Sequence, residues 1–445
     1  MSRDSALFAG LLVTTLVTGC GASSSFDRGW VAREVAARTG HQVGDPTNGP
    51  SLPPKVSSDT ALSEDDAISI ALWNSAAFEV ELAQLGYVRG DLEEAGALPN
   101  PTLSLLFPIG PRQLEFSLLY PIAALIHRPY RVAAAKLEVE RTAHALVQNG
   151  LDLMRDARVA YAELALAHDR AVLRRAMAET WVKVATIARA RVKTGDAAAI
   201  ESAAVDADAA TAADGSKRAD ADVVIATARL RFVLGLGDSP LGESLGLLAK
   251  PVDARAPSDE ATLIKLAHAA RPDLRGAEIV IEGASKRLGW ENARIFQFMA
   301  RLDGKPIGPS GGAPVLLIPG FQADIPLFNW NGGARERARA DVARASFRYV
   351  LLRQTVATEI RISRATLTQA IESLAPFRDK VVPLLEKAVA GAIRSYEEGN
   401  ESYVFVLDAT RRLQDAKLRV LELEGDVRRA RANMDRNIGR RADAP

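Results

Sequence analysis

Apolar residues recur every three or four positions along most of the chain, in runs longer than globular helices need. Leu367, Ile371, Leu374, Arg378, Val381, Leu385 and Ala388 keep a 4-3-4-3 spacing broken only by Arg378, and Leu173, Met177, Thr180, Val184 and Ile187 repeat it with Thr180 as the weak member. Such stripes are packing seams. They predict two helices of about 65 residues, over 128–194 and 334–398, each roughly 100 Å long at about 1.5 Å per residue. No globular core covers a helix of that length, so neighbouring helices must. Each run stops at a glycine, in "RVKTGD" (Gly195) and "YEEGNE" (Gly399), and helical sequence resumes over 199–235 and 401–438. The chain therefore turns back on itself twice. Pro376 and Pro383 fall inside the second long run and predict a kink or a local unwinding.

Shorter helices, over 63–98 and 259–294, precede two stretches whose period changes from 3.6 to 2. Ser63 followed by Glu64, Asp65 and Asp66 is a helix start. In 102–107, Leu103, Leu105 and Phe107 share a face, and in 114–120 Leu114, Phe116, Leu118 and Tyr120 do so. In 296–303, Phe296, Phe298, Ala300 and Leu302 oppose Gln297, Met299, Arg301 and Asp303. In 321–326, Phe321, Ala323 and Ile325 oppose Gln322 and Asp324. Half-buried soluble hairpins and transmembrane strands both fit this alternation. The membrane alternative requires other chains, because a four-strand sheet leaves open edges that lipid cannot satisfy. Three chains would supply twelve strands.

The plan is written twice. "ALWNSAAF" (71–78) corresponds to "AHAARPDL" (267–274), Pro121 to Pro326, Gly195 to Gly399 and Gly235 to Gly439. The offset grows from 196 to 204–205, so the second copy carries about eight extra residues between Pro272 and Pro326. A period near 200 residues is too long for a solenoid and marks duplication of one module. The expected segments are a first repeat over 63–236, a linker over 237–258 and a second repeat over 259–440.

The amino terminus adds a different signal. "MSRDSALFAGLLVTTLVTGC" (1–20) places Arg3 ahead of an apolar run too short to span a membrane, as a signal peptide does. Its end, "LVTGC", resembles a bacterial lipobox, with cleavage before Cys20 and lipid, palmitate included, on that cysteine. The other reading is a buried free thiol. Cys20 is the sole cysteine, so no disulfide competes for it. Residues 21–62, rich in Ser, Gly and Pro, read as a tether.

Charge and motifs exclude other classes. With 56 basic and 55 acidic residues the net charge is +1, which advertises no surface for nucleic acid. The five histidines form no compact ligand set, so neither a metal nor another cofactor is expected. "GPSGGAP" (308–314) lacks the Gly-Lys-Ser/Thr of a phosphate loop and reads as a hairpin tip. No enzymatic constellation is present in the sequence.

From about Leu62 to Gly439 the duplicated plan resembles the TolC-type outer-membrane efflux proteins. The most specific stretch is "YEEGNESYVFVLDA" (396–409), similar to that family's Y-x-x-G-x-x-S/T-x-x-x-V-L-D-A turn; "HAARPDLRGAE" and the module-end glycines agree. The resemblance implies a mainly α fold with a small β part: a homotrimeric α-helical barrel of coiled-coil-like helices topped by a transmembrane β-barrel, four strands per chain. It implies an exit duct in the outer membrane that works with a periplasmic adaptor and an inner-membrane pump. Gly195, Asp196, Gly399, Asn400 and Glu401 would form the docking tip. Asp408 would stand at the pore gate, with Phe405 replacing the family's second gate aspartate. "IPLFNWNGGARERARAD" and "VVPLLEKAVAGAIRSYEEG" resemble the branch that serves heavy-metal pumps of the resistance-nodulation-division class. The competing reading is a lipid-anchored periplasmic adaptor or scaffold, but such proteins carry one helical hairpin beside β-rich domains.

Overall fold

The computed structural model describes residues 22–44, 49–54, 56–57, 61–107, 115–237, 239–240, 246–248, 251–293, 297–306, 315–324 and 327–441. Cys20, the 308–314 loop, Leu114, Phe296, Ile325 and Pro326 lie outside them. The elements run α1 (Arg28–Thr39), α2 (Glu64–Asn74), α3 (Ala76–Gly96), β1 (Thr102–Leu106), β2 (Glu115–Tyr120), α4 (Ala123–Thr194), α5 (Ala199–Val233), α6 (Glu260–Ala270), α7 (Pro272–Ala293), β3 (Gln297–Pro306), β4 (Val315–Asp324), α8 (Gly332–Pro376), a π-helical turn (Phe377–Val381), α9 (Val382–Glu397) and α10 (Tyr403–Ile438). Two compact units result. One is built from Met1–Val31, Val80–Leu146 and Pro272–Arg353, the other from Ala32–Glu79, Val147–Arg271 and Gln354–Pro445.

The first unit holds the sheet, antiparallel in the order β1-β2-β3-β4. Its register pairs Leu103 with Leu118, Leu118 with Leu302, and Leu302 with Pro319; Tyr120 lies opposite Ala300, which lies opposite Phe321. One face therefore carries Leu103, Leu105, Phe116, Leu118, Tyr120, Phe298, Ala300, Leu302, Leu317, Pro319, Phe321 and Ala323, with the Tyr120 hydroxyl as the one polar group among them. The Phe116 ring lies over Gly304, where any Cβ would collide with it. The other face pairs Ser117 with Asp303, the hydroxyl donating to Oδ1 at 2.6 Å, and Arg301 with Asp303 at 2.8 Å. Strand β4 starts at Val315, six residues before its alternating segment. "VLLIPG" is apolar on both faces and so carries no period-2 signal. Pro319 is tolerated because β4 is an edge strand. The second hairpin spans 28 residues (297–324) against 19 (102–120) for the first, which locates the extra residues of the second copy.

In the second unit both first helices break where the sequences correspond, at Ser75 and at Arg271, each with extended backbone. Ser63 caps α2 through a reciprocal bond with Asp66. The module-end glycines close against those breaks. Gly235 (φ +69°) abuts the Asn74 carbonyl and Gly439 (φ +87°) abuts Arg271, with a Cβ excluded at both sites. The core around Ile70, Ala71, Ala157, Tyr161, Leu164, Leu230 and Leu234 is rich in alanine, which lets the helix backbones approach closely. Buried Arg158 joins the repeats: it binds Glu64 on α2 and, at 2.5 Å, Asp435 on α10. Pro376 and Pro383 bracket the π-helical turn, in which the Val382 N–H bonds the Phe377 carbonyl. The widened turn relieves the proline ring and its missing donor, so the expected unwinding takes this form. Among the described residues no helix is long and apolar enough to cross a membrane.

Candidate functional site at the paired helix turns

The glycine turns that end α4 and α9 are built alike. At the first, the Gly195 N–H bonds the Val192 carbonyl and the Asp196 N–H the Arg191 carbonyl. At the second, Gly399 bonds Tyr396 and Asn400 bonds Ser395. This is the Schellman arrangement of bonds, which needs a left-handed residue at its centre, and Gly195 (φ +84°) and Gly399 (φ +80°) supply it. Space is not what excludes larger residues here, since a Cβ at either glycine meets nothing within 4 Å. The constraint is the backbone itself.

Asp196 also accepts a hydrogen bond from the Thr194 hydroxyl at 2.6 Å. Asn400 donates to the Glu398 carboxylate at 3.2 Å, and the Glu401 N–H bonds the Ser395 carbonyl at 3.2 Å. These side chains are polar and exposed apart from the partly covered Ser395.

Behind the turns lies a core formed by all four helices: Trp181, Val184 and Ala188 from α4, Val205 from α5, Val389, Ala392 and Tyr396 from α9, and Tyr403, Val406 and Ala409 from α10. Two tyrosines lock the repeats across it. Tyr396, fully buried, donates its hydroxyl to Glu201 at 2.6 Å, and its ring lies 4.6 Å beneath the Arg191 guanidinium. Arg191 also donates to the Tyr396 carbonyl at 3.3 Å. Tyr403 donates to Asp208, which pairs with Arg411 at 3.4 Å, and its ring meets Trp181 edge-on at 6.3 Å. Burial first, and then the bond to Glu201, pushes the Tyr396 phenol up to about 12; burial and Asp208 raise Tyr403 in the same sense. Both therefore remain neutral donors at physiological pH.

Phe405 and Asp408 sit on the first turns of α10. Phe405 is half exposed, and Asp408 forms an exposed pair with Arg412, one turn on, at 2.9 Å. Within one chain Asp408 thus has a surface partner, an arrangement that holds it only weakly. The sequence signalled the turns but not the lock. Tyr396, Glu201, Tyr403 and Asp208 are each unremarkable in a charged helix, and only the folded turns bring residues 195 positions apart into contact. The available hint was that tyrosines flank the second glycine turn. Among the described residues no group of His, Cys, Asp and Glu is arranged to hold a metal ion.

Residues 317–440 match the outer membrane efflux protein family. The chain is 22% identical over 382 residues to the cobalt-zinc-cadmium resistance protein CzcC of Cupriavidus metallidurans, covering 85% of this chain and 90% of that one. Its fold is similar to the outer membrane protein VceC of Vibrio cholerae, with a TM-score of 0.72 at 18% identity over 84% of this chain and 96% of that one. It is similar again to the CmeC outer membrane channel of Campylobacter jejuni, with a TM-score of 0.70 at 13% identity over 89% and 91%. Residues 317–440 are thus similar to the outer membrane efflux protein family, and most of the chain shares its fold with solved outer membrane channels.

Proposed function

We propose that this chain is the outer-membrane exit duct of a tripartite efflux system. It passes substrate from an inner-membrane pump and a periplasmic adaptor to the outside and catalyses no reaction of its own. The observation that carries the reading is the sheet, whose apolar face is largely uncovered in the single chain and whose outer edges, β1 and β4, have no strand beside them among the described residues. Burying such a face in lipid requires a closed barrel, because open edges are not tolerated there. Three chains close it with twelve strands, apolar side outward, with Ser117, Arg301 and Asp303 facing the lumen. Strands β3 and β4, ten residues each, have the length for a tilted crossing.

The finer parts follow. Cys20 carries lipid at the mature amino terminus; Ala22, two residues on, packs against Gly96 at the end of α3, close to the first strand. The paired turns, through Gly195, Asp196, Gly399, Asn400 and Glu401, receive the adaptor. Asp408 and Phe405 ring the closed mouth. The pump belongs to the resistance-nodulation-division class, and divalent metal ions are the cargo, on the strength of the relative whose name carries cobalt, zinc and cadmium resistance.

Purified protein in planar bilayers tests the main reading. Trimers by native mass measurement, with discrete channel conductance, are expected. A monomer that leaves bilayer conductance unchanged overturns the duct and favours the anchored scaffold. Deleting the gene should sensitise cells to cobalt, zinc and cadmium; sensitivity confined to organic toxins would overturn the metal assignment alone.

A further inference from the structure

The segment that follows α1 carries a ring of polar contacts that a single proton can reorder. Arg38, in the last turn of α1, donates to the Ala270 carbonyl and, at 3.3 Å, to the Gly439 carbonyl. Its own carbonyl accepts the Arg441 N–H at 3.0 Å. Further on, the Gly44 N–H bonds the Leu72 carbonyl at 3.1 Å, so close to Trp73 that a Cβ is excluded. Residues 38–44 therefore hold the end of the second repeat beside α2. His41 stands between these anchor points, its side chain only 13% exposed.

The bonds around the imidazole fix its protonation. The Ser69 hydroxyl has one proton and donates it to the Asp65 carbonyl at 2.9 Å, so its oxygen accepts from the His41 Nδ1–H at 2.7 Å. On the other side the Arg441 guanidinium lies 3.4 Å from Nε2 and has only protons to offer, so Nε2 is the acceptor. His41 is therefore neutral while Arg441 stays. The same guanidinium pairs with the Asp65 carboxylate at 2.6 Å, and Nε2 lies 3.8 Å from that oxygen. One carboxylate is thus within reach of both side chains. The other charges nearby are already matched: Arg158 with Glu64 and Asp435, Arg431 with Asp253, and Arg38 with Glu34. A proton on Nε2 would set two cations side by side with Asp65 alone to share.

We infer that His41 is a pH-sensitive latch: protonation at Nε2 transfers Asp65 from Arg441 to His41, expels the Arg441 side chain, and frees the carboxy-terminal turn 439–441 from residues 38–44. The sign follows from linkage. The released form binds one proton more than the latched form, so the latch holds fully above the ordinary imidazole value near 6.5 and weakens as the pH falls below it. With protonation confined to the released form, going from pH 8 to pH 5 raises the released fraction by at most about thirtyfold. The device does not depend on whether three chains close a barrel.

Hydrogen exchange of the full chain in detergent micelles, at pH 8 and pH 5 and corrected for intrinsic rates, tests it. The amides to follow are those of Arg441, held by the Arg38 carbonyl, and Gly44, held by Leu72. Protection of both should fall about tenfold at pH 5 in the parent, within the linkage ceiling. His41→Gln keeps a donor for Ser69 but takes up no proton, and should stay protected at both pH values. Arg441→Ala removes the displaced cation and should abolish the pH response. Equal protection of the parent at pH 5 and pH 8 would overturn the latch. An equal loss in His41→Gln would do the same, by placing the titration elsewhere, as would a parent-like response in Arg441→Ala. A parallel loss in the largely buried α4 segment 151–160 would mean general unfolding and overturn it too.

Discussion

Replacing Tyr403 by Phe removes one oxygen and keeps the ring that packs on Trp181, so the effect isolates the hydroxyl bond to Asp208. A hydrogen bond to a charged partner contributes about 1.5–3 kcal/mol. Asp208 is a quarter exposed and keeps Arg411 at 3.4 Å, so water and the guanidinium recover part of the loss and the low end, about 1.5 kcal/mol, applies. Tyr403 and Asp208 belong to different hairpins, so separating the hairpins to widen the mouth must break their bond. If the bond exists only in the closed form, its loss raises the open-to-closed ratio about tenfold per chain. In the proposed trimer, three chains opening together would multiply that effect. Open probability of trimers in planar bilayers measures it directly, and Asp208→Asn with the double variant completes a cycle. Strong coupling between the two changes is expected. An unchanged open probability with only a lower melting temperature would refute the argument, because the bond would then stabilise open and closed forms alike.

The pH dependence has a fixed sign. Raising a tyrosine pKa on folding favours the neutral donor, so the stability contributed by Tyr396 is complete below the ordinary phenol value near 10. It is lost as the pH climbs through about 12. Phenolate absorbance of the protein should show late-titrating tyrosines, one fewer in Tyr396→Phe, and the contact between the hairpins should loosen only in that alkaline window.

Arg158→Met removes the cation that Glu64 and the buried Asp435 share, at about 3–5 kcal/mol; a melting temperature within two degrees of the parent would contradict this. Gly399→Val forces a branched residue to φ +80°, at about 1–2 kcal/mol, and should impair adaptor binding while trimers still assemble, as binding to the isolated adaptor would report. Cys20→Ser should abolish lipid attachment, and mass spectrometry of a native mature terminus lacking lipid would sink that assignment. Asp408→Ala should weaken block by multivalent cations from the periplasmic side; equal block in parent and variant would remove the carboxylate ring.

What could be read from the chain divides along the range of the forces involved. Helix seams, glycine stops and strand alternation are local. A 3.6 or 2.0 period needs only neighbours in sequence, so the duplicated plan, the reversals at Gly195 and Gly399, and the strain at Pro376 and Pro383 were all legible. Where both faces of a strand are apolar the period vanishes, and the first half of β4 was missed for that reason. The break at Ser75 has no local signal, because serine does not by itself stop a helix, whereas Pro272 marks the one at Arg271 by disfavouring helical backbone in the residue before it; each break is packed against by Gly235 or Gly439, more than 150 residues later. The lock behind the turns belongs to the same class. Tyr396 and Glu201 become partners only after two hairpins have formed and docked, so no window of sequence contains both. That ordering bears on function. Local patterns fix the helices, the wall of the proposed duct, while the two tyrosine contacts lie across the hairpins and can break without unfolding a helix. A passage that must open and reclose needs this separation. If the chain is the proposed channel, the place to alter its gating is the pair of tyrosine bonds, and changes of helix propensity should leave gating unchanged.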